Sequence, residues 1–158
     1  MHGTDPGSLR TTSPEQVRVP FVLMRGGTSK AVFVHGTALP RARTERDITI
    51  LALFGSPDRR QIDGADLLTS KLAIIDPPSR PDADLDYTFA QVSITEPVVD
   101  YDINCGNISA AVGAYAVDEQ LVEVTEPFTE VRIHNTNTGR ILRAEVPVVA
   151  GRAAVEGS

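Results

Sequence analysis

The most regular apolar pattern in the chain lies near its middle. Apolar residues recur at the three- and four-residue spacing of one helical face: Ile108, Ala111, Val112, Tyr115 and Ala116. Small residues fill most of the other positions, and no charged residue occurs from Asn104 to Val117. A helix without a charged face packs on several sides. The pattern therefore predicts a buried central helix.

Period-two and short apolar patterns predict strands on both sides of this helix. Two of them are joined by the polar turn Arg25–Lys30, which indicates a hairpin, and two more by the turn Asn135–Gly139, which indicates a closing hairpin. The predicted strands are Val17–Met24, Ala31–His35, Leu72–Ile75, 85–94, Thr129–His134 and Arg140–Val149.

A second helix is expected from Thr44, where the letters TERD match a capping box with Asp in place of Glu. Its apolar side is predicted to be Ile48, Leu51 and Phe54, and Gly55 is expected to end it. Many strands around one buried helix, with a second helix outside, indicate an α+β domain.

Composition limits the function classes. The 158 residues suffice for one domain with a core, and the first 16, rich in Gly, Ser, Thr and Pro, predict a flexible tail or a cloning remnant. The net charge of −6 disfavours a nucleic-acid surface, which needs clustered Lys and Arg. No apolar run predicts a membrane span or a signal peptide. The single cysteine fits a reducing cytoplasm.

That cysteine, Cys105, precedes the central helix among Asn104, Gly106 and Asn107. Free backbone N–H groups and the positive end of the helix dipole lie at such an end, where they attract anions and favour a thiolate. The position therefore offers an ionisable sulfur beside an anion-binding site. The alternative is an inert cysteine buried beside apolar residues, which is the commoner case.

Two further polar clusters lie at predicted strand ends. One is the turn Arg25–Lys30, whose letters RGGTSK lack the spacing of a nucleotide-binding loop; the other is Thr69–Lys71. Hydroxyls, backbone donors and a cation suit a small carboxylate. Lys71 enters an apolar strand, where a lysine is costly unless paired or functional. The alternatives are a solvated hairpin turn and a lysine whose amine reaches water. No metal-ligand spacing is present, so no metal is expected.

In this order, the clusters resemble the PrpF family of isomerases. The matching stretches are MRGGTSKAVF (24–33), RRQIDG…LTSKLAII (59–75), NCGNISAAVGAYAV (104–117) and VRIHNTNTG (131–139). The resemblance implies a diaminopimelate-epimerase-like lobe, a curled and mostly antiparallel sheet around a central helix. It also implies proton transfer without cofactor or metal on small unsaturated di- or tricarboxylic acids of the aconitate, methylaconitate or oxalomesaconate type.

Carried over by position, the resemblance makes Lys71 and Cys105 the proton-transfer groups, without deciding which removes the proton. It implies substrate-binding roles for residues of the three polar clusters: Arg25, Thr28, Ser29, Ser70, Gly106 and Asn107. Residues 17–158 are then the N-terminal lobe of a two-lobed enzyme, and a second lobe or another copy is expected to complete it. Ala31 departs from the family's usual Gly, and the loop before Thr69 looks shortened. An amino-acid racemase of the same fold, or a non-catalytic lobe that binds a carboxylate or a partner, are the alternatives.

Overall fold

Two α-helices and eight strands make up the residues that the computed structural model describes, 18–57 and 66–154. The helices are α1 (Arg43–Phe54) and α2 (Gly106–Asp118), and a 3-10 turn covers Gly36–Ala38. The strands are β1 (Val22–Gly26), β2 (Ser29–His35), β3 (Lys71–Asp76), β4 (Leu85–Val92), β5 (Val99–Asp100), β6 (Phe128–Asn135), β7 (Arg140–Val149) and β8 (Arg152–Ala153).

The strands form a mixed sheet in the order β1-β2-β3-β4-β6-β7-β8, with β5 paired to β4. The pairs β2–β3 and β4–β6 are parallel, and all the other pairs are antiparallel. Helix α2 contacts β1 and β2 at one end of the sheet and β6, β7 and β8 at the other. The sheet therefore curls around α2, which confirms the predicted α+β class and the central helix.

The apolar core lies on both faces of the sheet. Alternate residues of β2 show this, since Ala31 and Phe33 join the cluster against α2, whereas Val32 and Val34 join the cluster against α1. All four are fully buried. A strand covered on both faces carries a nearly continuous apolar run, which is why β2 is apolar from Ala31 to Val34 and β3 from Leu72 to Ile75.

The predicted stripe of α2 is confirmed, because all five of its residues are buried. Its small residues allow close packing as well. A Cβ atom on Gly113 would lie 2.8 Å from the Cβ atom of Ala144 on β7. The absence of a side chain at this position therefore sets how closely β7 approaches the helix.

Two expectations about α1 are wrong. The helix begins one residue before Thr44, and its N-cap, Ala42, makes no side-chain capping bond. The side chain of Arg46 instead ties this end down, since its Nε donates to the carbonyl oxygen of Pro40 at 2.9 Å. Ile48 is 61% exposed, and Ile50 is buried instead. Gly55 ends the helix at a φ of +77°, as predicted.

The first hairpin is tighter than predicted. Strand β1 begins at Val22, after Pro20, which has no N–H to give to a sheet. It continues through Arg25, which pairs with Lys30, so the turn contains only Gly27 and Thr28. The short strands β5 and β8 and both parallel pairings were not predicted. The predicted tail (1–16) and the RRQIDG part of the 59–75 match lie outside the described residues.

Candidate active site

Cys105 occupies the N-cap position of α2, with an extended backbone at φ −129° and ψ 107°. It is half-buried. Its carbonyl oxygen accepts hydrogen bonds from the backbone and the side chain of Ser109, at 3.2 and 3.1 Å. The first N–H groups of a helix have no partner within the helix. The sulfur therefore lies beside backbone N–H groups that can donate hydrogen bonds to an anion.

The β1–β2 turn packs directly against this end of α2. A Cβ atom on Gly26 would lie only 2.1 Å from the carbonyl oxygen of Asn107, so no other residue fits there. Gly27 has a φ of +55°, a conformation that L side chains rarely adopt. The two glycines of the RGGTSK turn therefore let the turn touch the helix.

Two side-chain contacts join the turn to the helix end. Nδ2 of Asn107 donates to Oγ1 of Thr28 at 3.2 Å. Sγ of Cys105 lies 3.9 Å from Oγ of Ser29, which is 1% exposed. These contacts bring together four of the predicted site residues, along with the backbone of Gly106 at the first helical position.

Lys71 begins β3 and is only 7% exposed. Its Nζ donates to Oε1 of Gln91 at 2.8 Å and lies 5.3 Å from the centre of the Phe89 ring. Nε2 of Gln91 donates in turn to the carbonyl oxygen of Ser70 at 2.8 Å. Within the described ranges, no carboxylate pairs with this amine. Its observed partner is a neutral amide.

Lys71 and Cys105 lie on the same face of the sheet and at the same end. Lys71 pairs with Ala31 across the parallel β2–β3 ladder. Ala31 belongs to the cluster against α2, and Ser29, two residues earlier, is therefore on that same face. Because Ser29 contacts the sulfur, the amine and the thiol flank the start of β2.

Arg25 is the predicted site residue that stands apart. Its neighbours Met24 and Gly26 face α2, so the strand alternation directs Arg25 to the opposite face. Its cross-strand partner is Lys30, and its side chain is exposed. Ser70 is fully buried and lies next to Lys71 at the start of β3.

Sequence analysis missed the residues that support this site. Gln91 holds Lys71, and the two-residue alternation along β4, once registered against β3, is the signal that could have found it. Asn135 is 1% exposed and donates through Nδ2 to Oδ1 of Asn104 at 3.1 Å. This bond ties the residue before Cys105 to β6, and because the two asparagines are 31 residues apart in the chain, no local pattern indicates the contact.

Tyr87 on β4 adds a buried hydroxyl beneath the helix end. Burial raises the pKa of this hydroxyl well above its usual range. The side chain of Ser109 opposes this rise in the pKa, and Cys105 adds to it. At neutral pH the group is therefore an O–H donor.

No metal-ligand or catalytic motif surrounds His134 in the sequence, but in the structure its side chain contacts residues of two other segments. Its Nδ1 lies 2.9 Å from Oδ1 of Asp86 and 3.4 Å from Oγ of Ser79. Because one nitrogen faces both groups, this histidine cannot relay a proton from the serine to the aspartate through its two nitrogens. Among the described residues, no three His, Cys, Asp or Glu side chains form a metal-binding group. No described helix is long and apolar enough to cross a membrane.

Comparison with protein families decides the relationship. The model of the PrpF protein family matches residues 16–158. The chain belongs to the PrpF family. A 3-methylitaconate isomerase of Eubacterium barkeri is 62% identical over 146 residues, which are 90% of this chain and 38% of that protein. A 4-oxalomesaconate tautomerase of Pseudomonas putida is 50% identical, over 90% of this chain and 40% of that protein.

Solved structures agree with this PrpF assignment. A crystal structure of methylitaconate-delta-isomerase superimposes with a TM-score of 0.87 at 61% identity, and the match covers 91% of this chain and 66% of that one. A probable proline racemase from Agrobacterium radiobacter superimposes with a TM-score of 0.58 at 18% identity, over 86% of this chain and 39% of that one. The second likeness shows the fold alone. The chain spans about two fifths of the length of the curated relatives that it matches.

Proposed function

We propose that this PrpF chain is the N-terminal lobe of an isomerase that shifts a proton and a double bond in a small unsaturated di- or tricarboxylic acid. The observation that carries the proposal is the placement of a buried amine, Lys71, and a helix-end thiol, Cys105, on one face and at one end of the sheet. Relatives named as acting on methylitaconate and oxalomesaconate give the substrate class.

The reaction needs one group that takes a proton and one that returns a proton. Removal of hydrogen from a carbon next to the conjugated system breaks a C–H bond and leaves its electron pair in an enolate-like anion. A proton delivered to another carbon of that system completes the shift, with no net oxidation. Lys71 and Cys105 are the proposed pair, because a neutral amine or a thiolate can act as a base near ambient pH. Neither step calls for a cofactor or a metal.

The anion formed between the two steps needs oriented donors. The backbone N–H groups at the start of α2, at Gly106 and Asn107, can supply them, together with the hydroxyls of Thr28 and Ser29. Ser70 is proposed to act from the other side, beside Lys71. Arg25 is the one proposed residue whose side chain leaves the strand on the face opposite α2.

The experiment uses the complete polypeptide encoded by the reading frame that contains this sequence. Separate samples in D₂O contain 2-methylaconitate, 3-methylitaconate, oxalomesaconate or a free amino acid, and deuterium in each recovered compound is measured by mass spectrometry. Incorporation with movement of the double bond is the expected result. Exchange only at the α-carbon of an amino acid would favour a racemase, and absence of exchange in every acid would contradict an isomerase.

A matched lysine gives the control. Lys30 lies on β2, the strand next to that of Lys71, and by the strand alternation its side chain faces away from α2. Lys71→Met is expected to lower the rate at which the double bond moves by at least about a hundredfold, as loss of a general acid–base group does. Lys30→Met is expected to retain most of it. Equal losses in the two variants would remove Lys71 from the mechanism.

The second lobe is part of this proposal. Residues 1–158, without further polypeptide, are expected to bind a carboxylate but not to turn it over. Turnover by residues 1–158 alone, at the rate of the complete polypeptide, would contradict the two-lobed arrangement.

A further inference from the structure

The hydroxyl of Tyr87 is buried without a hydrogen-bond partner. Tyr87 is 0% exposed, and its oxygen makes no hydrogen bond of ordinary geometry to any described residue. It is the single buried side-chain oxygen or nitrogen in the described part of the chain with this property. An unpaired buried polar group destabilises a fold by about 1–3 kcal/mol. Phenylalanine has nearly the same shape and would avoid this cost. We therefore expect the hydroxyl to have a function other than stabilising the fold.

Its position connects it to the candidate site. Tyr87 belongs to the cluster against α2, and Cys105 packs against that same cluster. On the neighbouring strand, Tyr87 pairs with Asn135, whose side chain bonds to Asn104, the residue before the cysteine. The hydroxyl also lies near the side chain of Ser109, which donates to the carbonyl oxygen of Cys105. Three separate elements therefore place it beneath the N-terminus of the helix.

We infer that Tyr87 is a positioning residue for Cys105, whose hydroxyl donates a hydrogen bond to the sulfur when the thiol has lost its proton. A thiol has a hydrogen to share, and Sγ of Cys105 donates toward Ser29 Oγ at 3.9 Å. A thiolate has none and needs donors. The unpaired hydroxyl of the resting protein becomes paired in the state that transfers protons. This inference rests on the proposed role of Cys105 in the isomerase.

Other groups that face the sulfur are few. On this face, β1 presents Met24 and Gly26, β2 presents Ser29, and β6 presents the neutral Asn135. The charged or titratable side chains that the packed strands contribute to this face are Lys71 on β3, Tyr87 on β4 and Arg140 on β7, which pairs with Asn135. His35 on β2 also faces α2, against Tyr115. On the helix side, Asp102 is exposed in the segment before Cys105. Lys71 and Asp102 are unchanged in the variants below, so they do not confound the comparison. Arg140 and His35 are likewise unchanged in the variants.

Cys105 is the one cysteine of residues 1–158, so the peptide that carries it reports on this sulfur alone. The complete polypeptide, its Tyr87→Phe variant and its Tyr115→Phe variant are treated with iodoacetamide at about pH 7.5, and modification of the peptide that carries Cys105 is followed by mass spectrometry. Tyr115 is the matched control, since it is a buried tyrosine of the same core, 2% exposed, ten residues along the helix from the sulfur.

Tyr87→Phe is expected to slow alkylation about tenfold, as loss of one hydrogen bond to a charged group does. Tyr115→Phe is expected to match the parent. At about pH 10.5, where thiols are largely ionised, all three rates should converge. The melting temperature of Tyr87→Phe is expected to equal or exceed that of the parent, because the variant removes an unpaired buried group.

Equal alkylation of Tyr87→Phe and the parent at about pH 7.5 would overturn the inference. A melting temperature more than about 5 °C below that of Tyr115→Phe would assign the hydroxyl a structural role and overturn it as well. The measurement needs no substrate. The two tests can therefore fail independently. Equal alkylation rates would not change the deuterium-exchange result, and an absence of exchange in every acid would not change the alkylation result.

Discussion

The side-chain nitrogen of Lys71 lies 2.8 Å from Oε1 of Gln91, so its observed hydrogen-bond partner is an amide and not a carboxylate. A carboxylate at that distance stabilises the charged amine, whereas an amide accepts a hydrogen bond from either form. Lys71 is only 7% exposed. A proton-transfer group changes its protonation state in either role, and the amide places no negative charge beside the amine that would hold its proton.

Gln91→Glu is therefore expected to slow deuterium exchange at neutral pH by at least about tenfold, because the new carboxylate holds the proton on Lys71. The change is nearly isosteric. Gln120→Glu, at an exposed position after α2, is the matched control and should leave exchange unchanged. Exchange at the parent rate in Gln91→Glu would mean that the protonation state of Lys71 does not matter.

Gly26→Ala is expected to destabilise the fold by about 3 kcal/mol, because its Cβ would lie 2.1 Å from the carbonyl oxygen of Asn107 and the turn would have to leave the helix. Gly106→Ala adds the same atom where nothing lies within 4 Å, and its effect on stability should be small. Urea denaturation measures both. Equal losses would show that the turn does not need close contact with α2.

Local patterns predicted the central helix, because its apolar stripe from Ile108 to Ala116 and its lack of charged residues can both be seen within one continuous segment. The strands around it followed from the same kind of local signal. The parallel β2–β3 and β4–β6 pairings did not, because they join segments separated by helices and loops. Lys71 bonds to Gln91 across the antiparallel β3–β4 pair, and Asn104 bonds to Asn135 on β6. These partners lie 20 and 31 residues away along the chain, so no local pattern indicated them.

The errors at α1 have a different cause. The letters TERD satisfy a capping box, but the guanidinium of Arg46 bonds to Pro40 and fixes the start of the helix one residue earlier. Ile48 fits an apolar stripe, yet the sheet covers Ile50 instead, beside the predicted Phe54. Tertiary contacts overrode two sound local signals.

Arg25 and Ser29 offer a test of strand alternation. They lie on opposite faces of the hairpin, and Ser29 contacts the sulfur. Ser29→Ala is expected to lower kcat/KM for the acid about tenfold through the loss of a donor to the anion. Arg25→Ala is expected to have a smaller effect, by about threefold or less. A larger loss in Arg25→Ala would show that the guanidinium reaches around the turn.

Asp84 is expected to make stability depend on acid pH. Hydrogen bonds from the Arg132 side chain hold the pKa of Asp84 below its ordinary value of 3.8, against the opposing effect of burial. The Arg132 backbone N–H donates to Oδ2 at 2.7 Å as well. A carboxyl whose pKa is lowered by folding stabilises the protein above its unfolded pKa. That contribution disappears as the pH falls through the folded pKa.

Asp84→Asn should therefore lower the free energy of unfolding by about 1 kcal/mol at pH 7, the usual size for a partly exposed pair. The difference from the parent should shrink below about pH 4. Asp82→Asn is the control, because the Asp82–Arg80 pair is on the surface and contributes little. A difference that stays constant down to about pH 2.5 would rule out the ionised carboxylate as the cause.

Single-turnover deuterium transfer in the complete polypeptide tests the central claim, that Lys71 and Cys105 serve one proton transfer. Lys71→Met and Cys105→Ser are each incubated with the active acid in D₂O, and deuterium is located at each carbon by NMR. The account predicts that neither variant moves the double bond at more than about 1% of the parent rate, and that one of them still exchanges hydrogen at the carbon that loses its proton. Isomerisation by either variant at a rate close to that of the parent would contradict it.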